Sequence, residues 1–165
     1  MKIEQVAVQL YTLRDFLKTP ADMAKTLKRV REIGYKAVQM SGVGPVDPAE
    51  FASMCMGEGL VLCATHENGD WIRQKPEEVV AKLKALGCSI TAYPFPAGVD
   101  FASLESVDAL IADLIRAGKV FRDAGLTLCY HNHNQEFRKV GGSTILERIY
   151  SKAPADVLGA ELDTF

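Results

Sequence analysis

No CxxC pair, no glycine-rich phosphate loop, no cluster of basic residues and no long apolar run occur in this sequence. Each absence removes a class of function. The four cysteines, Cys55, Cys63, Cys88 and Cys129, stand far apart, three of them inside apolar strand-like stretches. They read as reduced core residues and not as a disulfide or zinc framework. The net charge is −2, with acids and bases interspersed, which leaves no patch to neutralise a phosphate backbone and argues against nucleic acid as a partner. The opening MKIEQVAVQL is too short and too polar for a signal peptide, and nothing approaches membrane-spanning length. A cytoplasmic protein with no membrane partner is the expectation. Neither GxGxxG nor GxxxxGKS/T follows the first strand-like run, against a nucleotide-binding doubly wound sheet.

What is present is ordinary globular material: 48% hydrophobic over 165 residues is enough for a real core. Regular punctuation divides it. Gly34-Tyr35, Gly59-Leu60, Gly87-Cys88 and Gly125-Leu126 each close a helical pattern and open a strand pattern. Thr19-Pro20 with Asp22, and Asp47-Pro48 with Glu50, each supply a cap, a first-turn proline and an early acid. Pro76, Ser103 or Ser106, and Thr144 with Glu147 open three more helices. The pattern predicts strands over 4–11, 36–41, 60–66, 88–94, 126–131 and 157–163, with helices over 20–33, 48–57, 76–86, 104–124 and 144–152.

Strands that alternate with helices require parallel pairing and right-handed crossovers. Each strand has one apolar and one small or polar face, as in Leu158, Ala160, Leu162 against Gly159, Glu161, Asp163. A sheet with helices on both faces would instead be apolar throughout. The α/β pattern therefore fits a TIM barrel, with helices outside and polar groups at its mouth. A whole barrel needs eight strands and about 250 residues. The sequence reads as one domain over 1–165, an incomplete (β/α)8 barrel holding about the first six strands. Its open edge and uncovered residues such as Leu158 and Leu162 predict low stability and self-association, a homo-oligomer included.

All three histidines fall at predicted strand ends, His66 after the third strand, His131 and His133 after the fifth. In LTLCYHNHNQEF the period-two alternation puts Leu126, Leu128 and Tyr130 on one face, Thr127, Cys129, His131 and His133 on the other, with Glu136 close behind. Imidazole and carboxylate gathered at a strand end bind a borderline divalent metal or carry protons. A pair of hydrogen-bonded histidines in a polar loop is the plainer alternative. Asp163 and Glu161 face inward on the sixth strand, Glu161 as the candidate for a deeper, hydrogen-bonded acid. Gln9 and Tyr11 at the first strand's end, and Trp71 in the loop HENGDW, are candidate contacts to sugar hydroxyls or a sugar face.

The runs VQLYTLRD, THENGDW, YHNHNQEF and ELDTF together resemble the xylose isomerase-like TIM barrels, in the group of sugar phosphate isomerases/epimerases. The resemblance covers the chain in order. It implies a divalent metal held by groups at the ends of strands five to eight, with Asp163 matching the strand-six aspartate. His131 stands where many members carry a glutamate, so either His131 replaces that ligand or Glu136 reaches back to it. The implied activity is a carbohydrate isomerase or epimerase that moves a proton beside a carbonyl of a sugar or sugar phosphate. Manganese, zinc or cobalt suits mixed nitrogen and oxygen ligands best, with magnesium allowed. Glu136 and His133 are the candidate proton-transfer groups, His131, Asp163 and Glu136 the candidate ligands, and Gln9, Tyr11, His66 and Trp71 the candidate substrate contacts. A keto-inositol or keto-glycoside dehydratase or lyase at the same site is the nearest rival, and a non-catalytic incomplete barrel is a second.

Overall fold

The computed structural model describes residues 5–164. Helices form where their caps are written. Thr19 Oγ1 accepts from the Asp22 N–H at 3.2 Å and Pro20 follows, which starts α1 (Pro20–Ile33). Asp47 Oδ1 accepts from Ala49 and Glu50, starting α2 (Pro48–Gly57). Two more, α4 (Pro76–Leu86) and α5 (Leu104–Asp123, capped by Ser103), run as their sequence signals predict. Thr144 and Glu147 form a reciprocal capping box on α6 (Ile145–Lys152). Gly34 and Gly125 end their helices at φ 116° and 76°, a region closed to most side chains.

Strands β1 (Val8–Gln9), β2 (Ala37–Met40), β3 (Val61–His66), β4 (Ile90–Tyr93), β5 (Thr127–His131) and β8 (Gly159–Glu161) make a parallel six-stranded sheet in the order β1-β2-β3-β4-β5-β8. An antiparallel hairpin, β6 (Lys139–Val140) with β7 (Ser143–Thr144), turns through Gly141-Gly142. The chain divides into two compact units, Met1–His66 with Ala81–Ile90, and Glu67–Val80 with Thr91–Phe165.

In the first unit, β1 pairs β2 with Val8 opposite Val38 and Gln9 opposite Gln39. β2 pairs β3 through a local irregularity at Cys63, whose thiol donates to Val38 O at 3.3 Å. Met23, Leu27 and Val30 of α1, with Phe51 and Cys55 of α2, supply its buried apolar residues.

In the second unit, α5 buries Val107, Leu110, Ile111, Leu114, Ala117 and Phe121, a stripe at helical spacing. β5 pairs β8 with Cys129 opposite Gly159, Tyr130 opposite Ala160 and His131 opposite Glu161. A Cβ at Gly159 would stand 2.9 Å from Cys129 Sγ, so this register accepts no side chain there without a shift.

Four expectations need correction. The first strand ends at Gln9, because the Gln9 side chain accepts from the Tyr11 N–H and caps a 3-10 helix, Leu10–Phe16; position 4 of the predicted strand lies outside the described residues. HENGDW is not a loop: Asn68 Oδ1 accepts from the Trp71 N–H and opens α3 (Gly69–Gln74). The last strand stops at Glu161, so Asp163 lies two residues past it. Leu158 is buried, and only Leu162 of that pair is exposed.

Candidate functional site

The second unit holds the cluster of candidate residues around His131. Along β5, Leu128 and Tyr130 are buried on one face, and the alternation sends His131 the other way at the strand's C-terminal end. The β5–β8 register sets Glu161 opposite, with His131 Nδ1 3.1 Å from Glu161 Oε1. Two residues on, Asp163 Oδ2 lies 3.7 Å from His131 Nε2. One imidazole thus has a carboxylate at each nitrogen. Side-chain exposure is 14% for His131, 26% for Glu161 and 38% for Asp163, so the group lies part-way between core and solvent.

That setting raises the His131 pKa. The hydrogen bond to Glu161 is the largest cause; burial opposes it, and the charges of Glu161, Asp163 and Glu136 add to the rise. The neighbouring Cys129 thiol is pushed up to about 11, chiefly by burial and then by Glu161. It is no nucleophile at neutral pH. With its proton, His131 is an imidazolium between two anions. Without it, the same atoms offer one nitrogen and two carboxylates, a donor set suited to a divalent transition ion.

Beyond the strand the chain turns into a short 3-10 helix, Asn134–Phe137. The His133 ring lies edge-on to His131 at 4.9 Å and to Phe95 at 5.5 Å. Glu136 is 0% exposed. One of its oxygens accepts from Tyr130 OH and the other from the His133 main-chain N–H, both at 2.8 Å. Burial is the main cause of a strongly raised Tyr130 pKa, the Glu136 charge and hydrogen bond adding to it, so the phenol stays protonated and donates. Glu161 was expected to be the deeper, hydrogen-bonded acid; instead Glu136 is the fully buried one, held by Tyr130, while pairing with β5 sets the part-exposed Glu161 beside His131.

The structure gathers His131, His133, Glu136 and Asp163 around the end of β5, as the sequence spacing suggests. The remaining candidates have local roles that can be stated singly. Gln9 Nε2 donates to Gln39 Oε1 at 3.0 Å. Tyr11 is half exposed, with the Arg14 guanidinium 4.4 Å over its ring. His66 ends β3 with Nδ1 3.1 Å from Ser41 Oγ. Trp71 sits half exposed on α3. Sequence reasoning missed Asn132, a buried amide that binds the Asp163 main chain; the one available signal was a polar residue between two histidines, on the apolar face of the alternation.

No family model and no curated protein sequence matches the chain. Solved structures do. A sugar phosphate isomerase/epimerase from Parabacteroides distasonis matches with TM-score 0.84 and 20% identity, over 99% of this chain and 66% of that one. L-ribulose 3-epimerase matches with TM-score 0.73 and 18% identity, over 96% of this chain and 60% of that one. A xylose isomerase-like TIM barrel protein from Mycobacterium smegmatis, solved in complex with magnesium, matches with TM-score 0.71 and 14% identity, over 98% and 65%. The fold is therefore that of a xylose isomerase-like TIM barrel in part, and the chain spans 66% or less of the length of these three structures. Among the described residues, no helix is long and apolar enough to cross a membrane.

Proposed function

We propose that this chain carries part of the active site of a divalent-metal-dependent isomerase or epimerase acting on a sugar or sugar phosphate. The observation that carries the reading is His131 set between Glu161 and Asp163 at a strand's C-terminal end. The donor chemistry fits an ion of the manganese, zinc, cobalt or magnesium kind: a part-buried imidazole with Glu161 3.1 Å from one ring nitrogen and Asp163 3.7 Å from the other. Asp163 and His131 Nε2 would hold the ion. Glu161 Oε1, 3.1 Å from Nδ1, would favour the tautomer that leaves Nε2 as the lone-pair nitrogen, in the manner of carboxylate–histidine–metal triads. When bound, such an ion polarises the carbonyl and hydroxyl oxygens of a sugar and acidifies the neighbouring C–H.

The chain's own groups do the rest. His133, edge-on to His131, is proposed as the group that accepts and returns the proton. Glu136, hydrogen-bonded at both oxygens, holds the His133 main chain in place. Phe95 shields one side of that ring from water. Gln9, Tyr11, His66 and Trp71 are proposed contacts to substrate hydroxyls or to a sugar face.

Two measurements on the purified protein test this. Titration with manganese should give a saturable site that Asp163→Asn removes, and a panel of ketoses should show epimerisation or isomerisation that depends on the metal. No bound ion in the unaltered protein would overturn the metal assignment. Dehydration of a keto-inositol, with no turnover of the ketoses, would replace isomerisation with elimination at the same groups.

A further inference from the structure

We infer that Asn132 is the positioning residue for Asp163. The β5–β8 ladder ends at the pair His131–Glu161, so main-chain pairing stops before Asp163 is reached. From there a side chain takes over. Asn132 Nδ2 donates to Asp163 O at 3.0 Å, and the Asp163 N–H donates to Asn132 Oδ1 at 3.1 Å. Only one orientation of the amide satisfies both bonds, since a donor must face the carbonyl and an acceptor the N–H. The side chain therefore acts as one more peptide group in the ladder, and it grips both polar atoms of a single residue.

Its setting makes the grip count. Asn132 is 1% exposed, so water does not compete well for either bond, and a buried amide without partners is costly. It lies between His131 and His133 in sequence, on the opposite side of the alternation from His131. The residue that carries one candidate ligand is thus followed immediately by the residue that fixes the other. Without this clamp Asp163, two residues beyond the last paired position of β8 and 38% exposed at its side chain, would depend on its own loop to stay 3.7 Å from His131 Nε2. Both side-chain bonds of Asn132 go to the Asp163 main chain. Its effect on binding runs through Asp163.

The inference rests on the metal reading for its consequence but not for its geometry, and the test separates the two. Asn132→Ala removes both bonds. Asn132→Asp keeps the size and the acceptor but turns a carboxylate oxygen toward Asp163 O, and it serves if the alanine variant does not fold. In metal-free protein, amide hydrogen exchange at Asp163 should quicken by about tenfold or more once its acceptor is removed by the alanine variant. In manganese titrations affinity should fall about 10–100-fold in both variants, the range for groups that orient a metal ligand. The electron paramagnetic resonance spectrum of bound manganese should change with it, a signature that a loss of stability alone does not move. Unchanged Asp163 exchange in a folded Asn132→Ala protein overturns the clamp. Faster exchange with unaltered manganese affinity and spectrum reduces Asn132 to a structural residue and overturns the positioning role. If the unaltered protein binds no manganese, the metal reading fails, while faster exchange at Asp163 would still support the clamp.

Discussion

Two charge clusters in the second unit use the same kinds of side chain to opposite ends. On the helix layer, Asp108 accepts from Arg148 through two nitrogens and from Lys152 Nζ at 2.7 Å. Those hydrogen bonds hold its carboxyl well below the ordinary carboxylate range. One acid there faces two permanent cations. At the end of β5 the ratio is reversed, with Glu161 and Asp163 on either side of an imidazole whose charge depends on a proton. The helix cluster has its counter-charge built in. The strand-end cluster has a removable one, and a divalent ion can take that proton's place. A count of acids and bases does not separate the two places; the permanence of the cation does.

The contrast can be broken most directly by deleting one acid from each cluster. Asp163→Asn should lower manganese affinity by more than about 100-fold, beyond the loss typical of an orienting group, and should abolish metal-dependent turnover. Asp108→Asn should leave the titration unchanged. Equal losses in both variants would show that general surface charge, and not a coordinated site, attracts the ion.

A second substitution asks whether Glu136 belongs to the wall or to the chemistry. Glu136→Leu strands the Tyr130 hydroxyl and the His133 N–H in a buried place. About 2–6 kcal/mol of stability should be lost, at about 1–3 kcal/mol for each unsatisfied group. Glu136→Gln should keep most of it. Urea unfolding measures both, and a variant as stable as the parent would contradict the buried pairing.

The clusters should also respond to pH with opposite signs. In metal-free protein the raised His131 pKa contributes stability fully below its ordinary 6.5, and that contribution is lost as pH rises through the folded value. The depressed Asp108 carboxyl contributes above its ordinary 3.8 and loses that contribution as pH falls through the folded value. Unfolding midpoints from pH 5 to 9 should therefore bring the unaltered protein and His131→Ala closer together as pH rises, if the lost ring packing is constant across that range. A gap that widens would reverse the sign. Smallest of all is the effect of Arg148→Ala on the unfolding midpoint, because the pair it breaks lies at the surface, where water and salt screen it.

Much of this architecture is legible in the sequence wherever a signal is local. Thr19-Pro20 and Asp47-Pro48 place two helix starts to the residue, because cap, proline and acid lie within four positions of each other. The 3-10 helix after Gln9 is not legible, since glutamine is an uncommon cap and its other amide atom is held by Gln39, thirty residues away. Asp163 and His131 can be put on one rim by counting strand ends. The standing of the two glutamates cannot be counted. Glu136 sits near His133 in sequence, but its burial follows from a phenol on the other face of β5, and Glu161 gains His131 only through strand register.

That register carries a consequence for how the chain folds. Distant parallel strands are slow to find each other, and a shift of one residue would turn every side chain of β8 to the wrong face. Gly159 opposite Cys129 works against such an error. In the correct alignment the thiol meets no Cβ, whereas a slip would bring Leu158 or Ala160 against it, in a space where even one methyl carbon would stand 2.9 Å from sulfur. The missing side chain acts as a keyway: mispaired forms collide and separate, and the alignment that survives is the one that delivers Glu161 to His131.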